Sequence, residues 1–520
     1  MRVTPPATVE QAIEKIDELS SKLDALSREN KILREELQAY RLGRFGRLSE
    51  RLDPGQLSFV EQGEPPEPPA EESAPPANER KKNRRKPGHG RGTFPEHLPR
   101  EIIELEVPEE ERICPCCGAA MRPIGEDVCE RGHIVPAKLV VRRYVKKKYA
   151  CSDGHGVTTA KAPSGVTDKC KYEASVYAHI VACKYTDHLP LHRLEGIFKR
   201  YGVHLPKQTM WDLVVTVDDL VARPILKQMK AELLTEPVLH ADETPVTMRL
   251  EDGKGTRKSY VWGWRNLRGV GPSKVLIDFR MSRGRDGPVD FLGKWSGTLI
   301  SDGYSGYDEV VRRNGLVRAG CLAHARRKLK NALDTGSKSA TRALRPIQRL
   351  FWIERAVLRR AERDELGREE LVELRRRVRG QRSRVVWKWL YREVDALLEK
   401  RSTLPKSKLG KALGYLGRQR KPLSTFLDDA RIPMHNNDSE RDLRHVAVGR
   451  KNWLVFGSER GGDVACRLYS LVLSCKQAGV DPEAYIEDVL NRVGTTPHSQ
   501  IATLTPWGWK AAREAAPDQA

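Results

Sequence analysis

Three acidic residues stand where carboxylates could hold a hard divalent cation. Asp242 follows a short strand-like run in Val238-Leu-His-Ala-Asp242-Glu-Thr-Pro245, and Asp302 follows another in Leu299-Ile-Ser-Asp302-Gly-Tyr304. Glu440 lies in His435-Asn-Asn-Asp-Ser-Glu440-Arg-Asp-Leu-Arg444. Mg²⁺ takes oxygen ligands and keeps several waters, which leaves room for phosphate oxygens. Ligands of α/β sheets gather where strands end, so two strand-end aspartates could meet on adjacent strands. Each residue also has an ordinary role open to it. Asp302-Gly303 could be a turn and Asp242 a cap for the segment after Pro245. Asn437 followed three residues later by Glu440 fits a capping box. That last role is compatible with chemistry. A helix start suits an anionic substrate, and Arg441, Arg444 and Arg450 would then lie near bound phosphates.

A second cluster is made of cysteines. Cys114 and Cys117 have zinc-knuckle spacing, and Cys151 follows the β-rich run Leu139-Val-Val-Arg-Arg-Tyr-Val-Lys-Lys-Lys-Tyr-Ala150. His155 can supply a fourth ligand, giving the set Cys114, Cys117, Cys151 and His155 for Zn²⁺; Cys116 and Cys129 are spare candidates. The alternative is a set of reduced, metal-free thiols.

The surrounding elements divide 520 residues into several expected domains. In residues 1–50, apolar positions alternate spacings of three and four. Ile16, Leu23, Asn30 and Leu37 share one seam position, and Leu19, Leu26, Leu33 and Tyr40 the other. This is a coiled-coil period, and one seam Asn favours a parallel dimer in fixed register. Residues 51–95 form a Pro- and Glu-rich linker that turns abruptly into the basic run Arg80-Lys-Lys-Asn-Arg-Arg-Lys86. Residues 96–162 hold the zinc-ribbon-like module. Residues 163–235 are read as helical, with Leu191–Arg200 and Lys207–Val217 as a helix-turn-helix. Lys207, Gln208 and Thr209 open its second helix, which could enter a major groove.

From 236 to 462 the rhythm is α/β. Val238 to Ala241, Ser259 to Trp264 and Lys274 to Phe279 read as strands in hairpins, with connections at Gly253 and Gly271. A helix over Pro288 to Trp295 and strands over Thr298–Ser301 and Leu316–Cys321 come next, predicting a mixed sheet. Residues 325–430 are almost wholly helical and densely basic. Val386, Leu390, Val394 and Leu398 give this all-helical insertion its own apolar stripe. A helical segment covers 463–500, and 501–520 reads as a tail.

Composition fixes the class of partner. Lys and Arg number 92 against 70 Asp and Glu, a formal charge of +22. Such an excess draws a polyanion, double-stranded DNA first and an anionic membrane surface second. No apolar run approaches the roughly 20 residues that span a bilayer. No secretory signal opens the chain. The expectation is a cytoplasmic protein that meets the nucleoid when bound to DNA.

Taken together in order, these motifs resemble the transposases of the insertion sequence sixty-six family, a branch of the DDE transposases. The resemblance rests on the zipper with Phe45-Gly-Arg-Leu-Ser-Glu50, on Cys114-Pro-Cys-Cys-Gly118 and on His188-Leu-Pro-Leu-His-Arg193. It continues through His240-Ala-Asp-Glu-Thr-Pro245, Ser301-Asp-Gly-Tyr304, Cys321-Leu-Ala-His-Ala-Arg-Arg327, Asn436-Asn-Asp-Ser-Glu-Arg441 and Arg450-Lys-Asn-Trp453. It implies a ribonuclease-H-like catalytic domain whose triad is Asp242, Asp302 and Glu440, holding two Mg²⁺ or Mn²⁺ ions. It implies cleavage and strand transfer at terminal inverted repeats, with no covalent protein–DNA intermediate. His324, Arg327 and Lys451 could help place DNA. A homodimer or higher oligomer and helper proteins of the element are the implied protein partners. The family's zinc motif ends in a second close Cys pair, from which Ser152-Asp-Gly-His155 departs. Two other readings are a ribonuclease-H-like nuclease or resolvase, and a non-catalytic DNA-binding regulator with a dead triad.

The zinc reading has a direct test. Purified protein should contain about one zinc per chain by elemental analysis, and Cys114→Ser combined with Cys117→Ser should remove it. Full retention of zinc by the double variant contradicts this ligand set.

Overall fold

The computed structural model describes residues 9–45, 139–150, 157–160, 163, 165–167, 170–250, 255–400 and 403–515. Met1–Val60 and Tyr144–Ala520 form one unit and Glu61–Arg143 another; of the latter only 139–143 are described, without regular structure. Cys114, Cys117, Cys151 and His155, the linker and Gly253 lie outside the described residues. The β-rich run forms a strand only at its end. Lys148–Ala150 (β1) pairs antiparallel with Val157–Thr159 (β2), in register Ala150 opposite Val157.

Val9–Phe45 is one continuous helix, α1. Its seam residues Ile16, Leu19, Leu23, Leu26, Leu33, Leu37 and Tyr40 are all exposed. Two contacts of α1 come from positions outside the seam. Glu35 accepts the Lys408 backbone N–H at 3.1 Å, and Gln38 donates to the Asp334 carbonyl at 2.9 Å.

The next helical region contains Ala174–Val181 (α2), Leu191–Arg200 (α3), Lys207–Val217 (α4) and Arg223–Leu233 (α5). α2 and α4 each run on into one wider π turn, 182–186 and 218–222. Asp218, in the second of these, is fully buried, and Arg467 binds both its oxygens at 2.7 Å. That bond ties the helical region to the C-terminal helices.

The centre is a five-stranded mixed sheet. Its strands are Val238–Arg249 (β3), Thr256–Asn266 (β4), Val275–Arg280 (β5), Thr298–Ser301 (β6) and Val317–Gly320 (β7), in spatial order β5-β4-β3-β6-β7. β3, β4 and β5 are an antiparallel meander, while β6 and β7 lie parallel to β3. β3 is much longer than the sequence suggests. Pro245 sits inside it opposite Tyr260, which is tolerated because β6 pairs with β3 only over 238–240 and no ladder partner needs the missing N–H. Two short helices, Asp286–Leu292 (α6) and Asp308–Asn314 (α7), complete the β5–β7 connections; α6 starts and stops earlier than expected.

Between β7 and the helix carrying Glu440 stands the insertion. It comprises Leu322–Asp334 (α8), Ala340–Arg363 (α9), Arg368–Val378 (α10), Arg384–Leu398 (α11), Lys408–Arg418 (α12) and Arg420–Asp428 (α13). One apolar core runs from Val238, Ile300 and Ala319 of the sheet through Leu329, Ile347, Leu350, Leu390, Val394 and Leu413. In α11 the predicted stripe is partly right. Leu390 and Val394 are buried and Val386 packs on them, but Leu397 rather than exposed Leu398 completes it.

The last helices are Asn437–Trp453 (α14), Glu459–Ala478 (α15), Pro482–Arg492 (α16) and Pro506–Ala515 (α17). α15 covers the edge strand β5. Ser470 and Ser474 accept the Ile277 and Val275 N–H groups that would otherwise be an open edge. The expected tail is in fact structured to Ala515. Leu504 and Trp509 are buried, and Trp509 Nε1 donates to Asp488.

One buried ion cluster holds the insertion to the chain that leads back to the sheet. Arg379 gives Nε and Nη2 to Glu354 at 3.1 and 2.8 Å, and Nη1 to the carbonyls of Phe426 and Ile432 at 2.7 and 2.9 Å. Burial opposes the charge on Glu354, but Arg379 and Arg375 hold its carboxyl below the usual range. Glu354→Ala should leave Arg379 buried without a counter-charge and destabilise the protein by roughly 3–5 kcal/mol in chemical denaturation. A loss below about 1 kcal/mol would show that the cluster does not hold the insertion.

Candidate active site

β3 and β6 run parallel with His240 opposite Ile300. Continuing that register by two residues sets Asp242 beside Asp302. Asp242 therefore lies inside β3 rather than beyond its end, and Asp302 directly follows β6. The loop at Asp302 is tightly specified. Asp302 Oδ1 accepts the Tyr304 N–H at 2.8 Å, and Arg318 Nη2 binds the carbonyls of Asp302 and Tyr304, both at 2.7 Å. The turn foreseen at Asp302-Gly303 thus exists and also orients the carboxylate. A Cβ at Gly303 would lie 2.5 Å from the Tyr415 ring of α12, so only glycine lets the insertion close on this loop.

Glu440 reaches the same place from α14. The predicted capping box does not form: Asn436 is the N-cap, no side chain caps the helix, and the Glu440 N–H bonds to the Asn436 carbonyl. The Asn436 side chain faces the sheet instead. Its Nδ2 donates to the Ala241 carbonyl at 2.8 Å, and its Oδ1 accepts from His240 Nδ1 at 2.7 Å. That geometry puts the imidazole proton on Nδ1. Burial, foremost, pushes the His240 pKa down to about 4, so the ring is neutral at physiological pH. The Asn436 N–H also meets Cys321 Sγ at 3.2 Å.

Two further contacts fix α14 on β4. Arg265 and Asp442, both buried, pair at 2.8 Å. Gly263, opposite Asp242, leaves room for Leu443, which an added Cβ would approach to 3.1 Å.

Electrostatically Asp242 senses the other two carboxylates. The Asp242 carboxyl is raised well above its ordinary value, by burial first and then by the charges of Glu243, Glu440 and Asp302. Glu440 faces α8, where His324 Nδ1 stands 3.5 Å from one oxygen and Arg327 Nη2 3.2 Å from the other. Even so, Glu440 Oε1 and His324 Nδ1 are buried without a hydrogen-bond partner. Massed carboxylates with an unsatisfied buried oxygen are a donor set that fits a hard divalent cation. Cys321, His324 and Glu440 also place one donor each within 4.8 Å of one another. Burial raises the Cys321 thiol to about 11 and its sulfur already accepts an N–H, so it remains a neutral thiol.

The other residues singled out in the sequence fall in different places. Arg441 and Arg444 are exposed on α14, as is Lys451. Arg450 is turned inward and bonds Thr244 Oγ1 at 3.1 Å, bracing α14 against β3. Lys207 and Gln208 are exposed at the start of α4, with Thr209 half-buried.

A fourth carboxylate escaped sequence reasoning. Glu243 accepts Arg283 Nε at 2.9 Å on one oxygen and the Tyr307 hydroxyl at 2.9 Å on the other. Burial and then the Asp302 charge raise its carboxyl. Its place beside Asp242 in the His240-to-Pro245 motif was the available signal.

With this geometry in view, the comparisons with known proteins converge. A family model described as Transposase IS66 family matches residues 169–464. Flanking matches are a zinc-finger binding domain of transposase IS66 over 111–153, Transposase C of IS166 homeodomain over 32–103, and an IS66 C-terminal element over 470–507. Uncharacterized protein y4jD of Sinorhizobium fredii is 35% identical over 437 residues, covering 81% of this chain and 82% of that protein. Uncharacterized protein y4hP of the same organism is 29% identical over 508 residues, 93% of this chain and 88% of its own length. The chain belongs to the IS66 transposase family. Among the described residues no helix is long and apolar enough to cross a membrane.

The raised Asp242 carboxyl gives a signed prediction. A group that titrates above its unfolded value supplies stability below the unfolded pKa and loses it as pH rises through the folded one. In metal-free protein at pH 7, Asp242→Asn should raise the melting temperature by ~2–4 °C, with less gain at pH 4–5. A variant that melts lower than the native protein at pH 7 would contradict the crowding of carboxylates.

Proposed function

We propose that the protein is a DNA transposase that cuts the ends of its element and joins them to target DNA, with Asp242, Asp302 and Glu440 as the triad. The observation that carries this reading is the convergence of three carboxylates from separate chain segments on one end of the sheet. The strand order β5-β4-β3-β6-β7, three antiparallel and then two parallel to β3, supports a ribonuclease-H-like domain interrupted by the helical insertion. The triad would hold two Mg²⁺ or Mn²⁺ ions, which when bound supply charge stabilisation and a lowered pKa for bound water. The chain's own part is geometric and electrostatic. Asn436 and the Arg265–Asp442 pair hold Glu440 in place, and Arg318 shapes the Asp302 loop. His324 and Arg327 flank Glu440, while Arg441, Arg444 and Lys451 present charge to phosphates, with Arg450 bracing their helix.

DNA binding follows from the family and from the charge of +22. Lys207, Gln208 and Thr209 at the start of α4 are placed to meet a groove. The exposed seam of α1 fits a parallel homodimer, and Glu35 and Gln38, which meet the insertion, lie outside that seam. The zinc-finger module over 111–153 implies Zn²⁺, with Cys114, Cys117, Cys151 and His155 as its proposed ligands.

Asp242→Asn, Asp302→Asn and Glu440→Gln should each abolish nicking and strand joining on duplexes carrying the element's ends in Mg²⁺. Each should leave end binding within about threefold, because Lys and Arg contacts to phosphate supply most of the affinity. Asp438→Ala, in the same helical turn, should retain cleavage. Loss in Asp438→Ala with activity in Glu440→Gln would remove Glu440 from the triad.

A further inference from the structure

Away from the carboxylates, a cavity of about 310 Å³ opens where the helical region meets the end of α14 and the start of α15. Trp211, Trp453, Tyr185 and Tyr469 line it, together with Lys184 and Arg460. Its walls are firmly set. Trp453 donates to the Tyr469 hydroxyl at 3.1 Å and stacks on Phe456, and Tyr185 packs edge-on against Tyr469. The chain turns sharply after Trp453. Leu454 holds a left-handed conformation, φ 63°, while Phe456 bonds back to Thr247 and Arg249 of β3.

One polar group in this wall is unsatisfied and a cation stands beside it. The buried Tyr185 hydroxyl has no hydrogen-bond partner. Half-buried Lys184 lies over the Tyr185 ring at 5.4 Å and pairs with no carboxylate among the described residues, and burial pulls its ammonium down to about 8. A cation with no carboxylate partner beside stacked aromatic walls asks for a ligand with a flat ring and a negative charge, which describes a nucleotide. A volume near 310 Å³ suits one such unit rather than a duplex.

The position of the cavity says where the nucleotide comes from. Glu440 lies in the first turn of α14 and Trp453 is its last residue, roughly 20 Å along one helix axis. Between them Arg441, Arg444 and Lys451 lie exposed along the helix, a basic track the length of about six base pairs. Exposed Leu454, between the lining residues Trp453 and Val455 in the chain, is an apolar group of the kind that enters a vacated base step.

We propose that this cavity receives one nucleotide extruded from the DNA, its base against Trp453 and Trp211 and its phosphate on Lys184 and Arg460. The pocket grips the strand about six base pairs from the scissile phosphate. Extrusion costs unstacking energy, least at a weak or distorted step, so the pocket would add selectivity for particular ends. The inference rests on the DNA reading of the triad and adds to it a separate contact.

Full-length protein is irradiated with end duplexes in which 5-iodouracil replaces one base at a time, and cross-linked residues are found by mass spectrometry. One position, about six pairs from the cleaved phosphate, should cross-link to Trp453 or Trp211. Lys184→Met should lower that yield about tenfold, the worth of one charge-assisted hydrogen bond. Its melting temperature should stay level, because half-buried Lys184 makes no ion pair among the described residues. Binding and cleavage of the duplexes with no position cross-linking to these residues overturn the pocket and leave the triad standing. Equal cross-linking of free 5-iodo-deoxyuridine monophosphate would make a loose nucleotide the ligand and also overturn it. No binding of the duplexes at all contradicts the DNA reading itself.

Discussion

The arrangement of the candidate centre depends on one side chain, Asn436. It is fully buried, and both ends of its amide are committed to β3: Nδ2 to the Ala241 carbonyl and Oδ1 to His240. Its backbone carbonyl receives the Glu440 N–H. A single residue thereby sets the distance between the strand that carries Asp242 and the helix turn that carries Glu440. The bond to His240 also requires a neutral ring protonated on Nδ1, which burial enforces. Removing either partner would leave a buried polar group unsatisfied, a loss of about 1–3 kcal/mol.

Around that strut, close approach does the remaining positioning. Gly263 admits Leu443, Gly303 admits Tyr415, and the Arg265–Asp442 pair fixes the rotation of α14. The insertion contributes by spanning from β7 to α14. Its first helix, α8, brings His324 and Arg327 to Glu440, and the Arg379–Glu354 cluster fixes the segment that leads into Asn436. The result is a concentration of carboxylates, with Asp242 and Glu243 raised in pKa, in a chain of net positive charge. This fits a centre that awaits cations and a polyanion together.

Much of this was legible in the sequence, for identifiable reasons. Short strands bounded by Gly and Asp gave Thr298–Ser301 to the residue, and the helices Leu191–Arg200 and Lys207–Val217 fell where Pro190, Gly202 and Pro206 punctuate the chain. What failed were inferences that tertiary contacts override. Asp242 read as a strand end because Asp, Glu and Pro are poor strand residues, yet pairing with β4 carries the strand on to Arg249. The capping box at Asn437 failed because Asn436, one residue earlier, takes the cap and turns its side chain to the sheet. Glu243 was passed over because its partners Arg283 and Tyr307 lie 40 and 64 residues away. The apolar sequence from Ile501 to Trp509 looked like a tail because its partners, Glu232 in α5 and Tyr485 and Asp488 in α16, lie elsewhere in the chain.

The central claim is that Asp242 touches a divalent cation during DNA cleavage. Replacing it with cysteine exchanges a hard ligand for a soft one and leaves Asp302 and Glu440 in place. Cleavage of end duplexes by Asp242→Cys should be lost in Mg²⁺ and recover at least in part in Mn²⁺, with the native protein active in both. If Asp242→Cys cuts in Mg²⁺ as well as the native protein does, Asp242 holds no metal and the account of the centre is wrong.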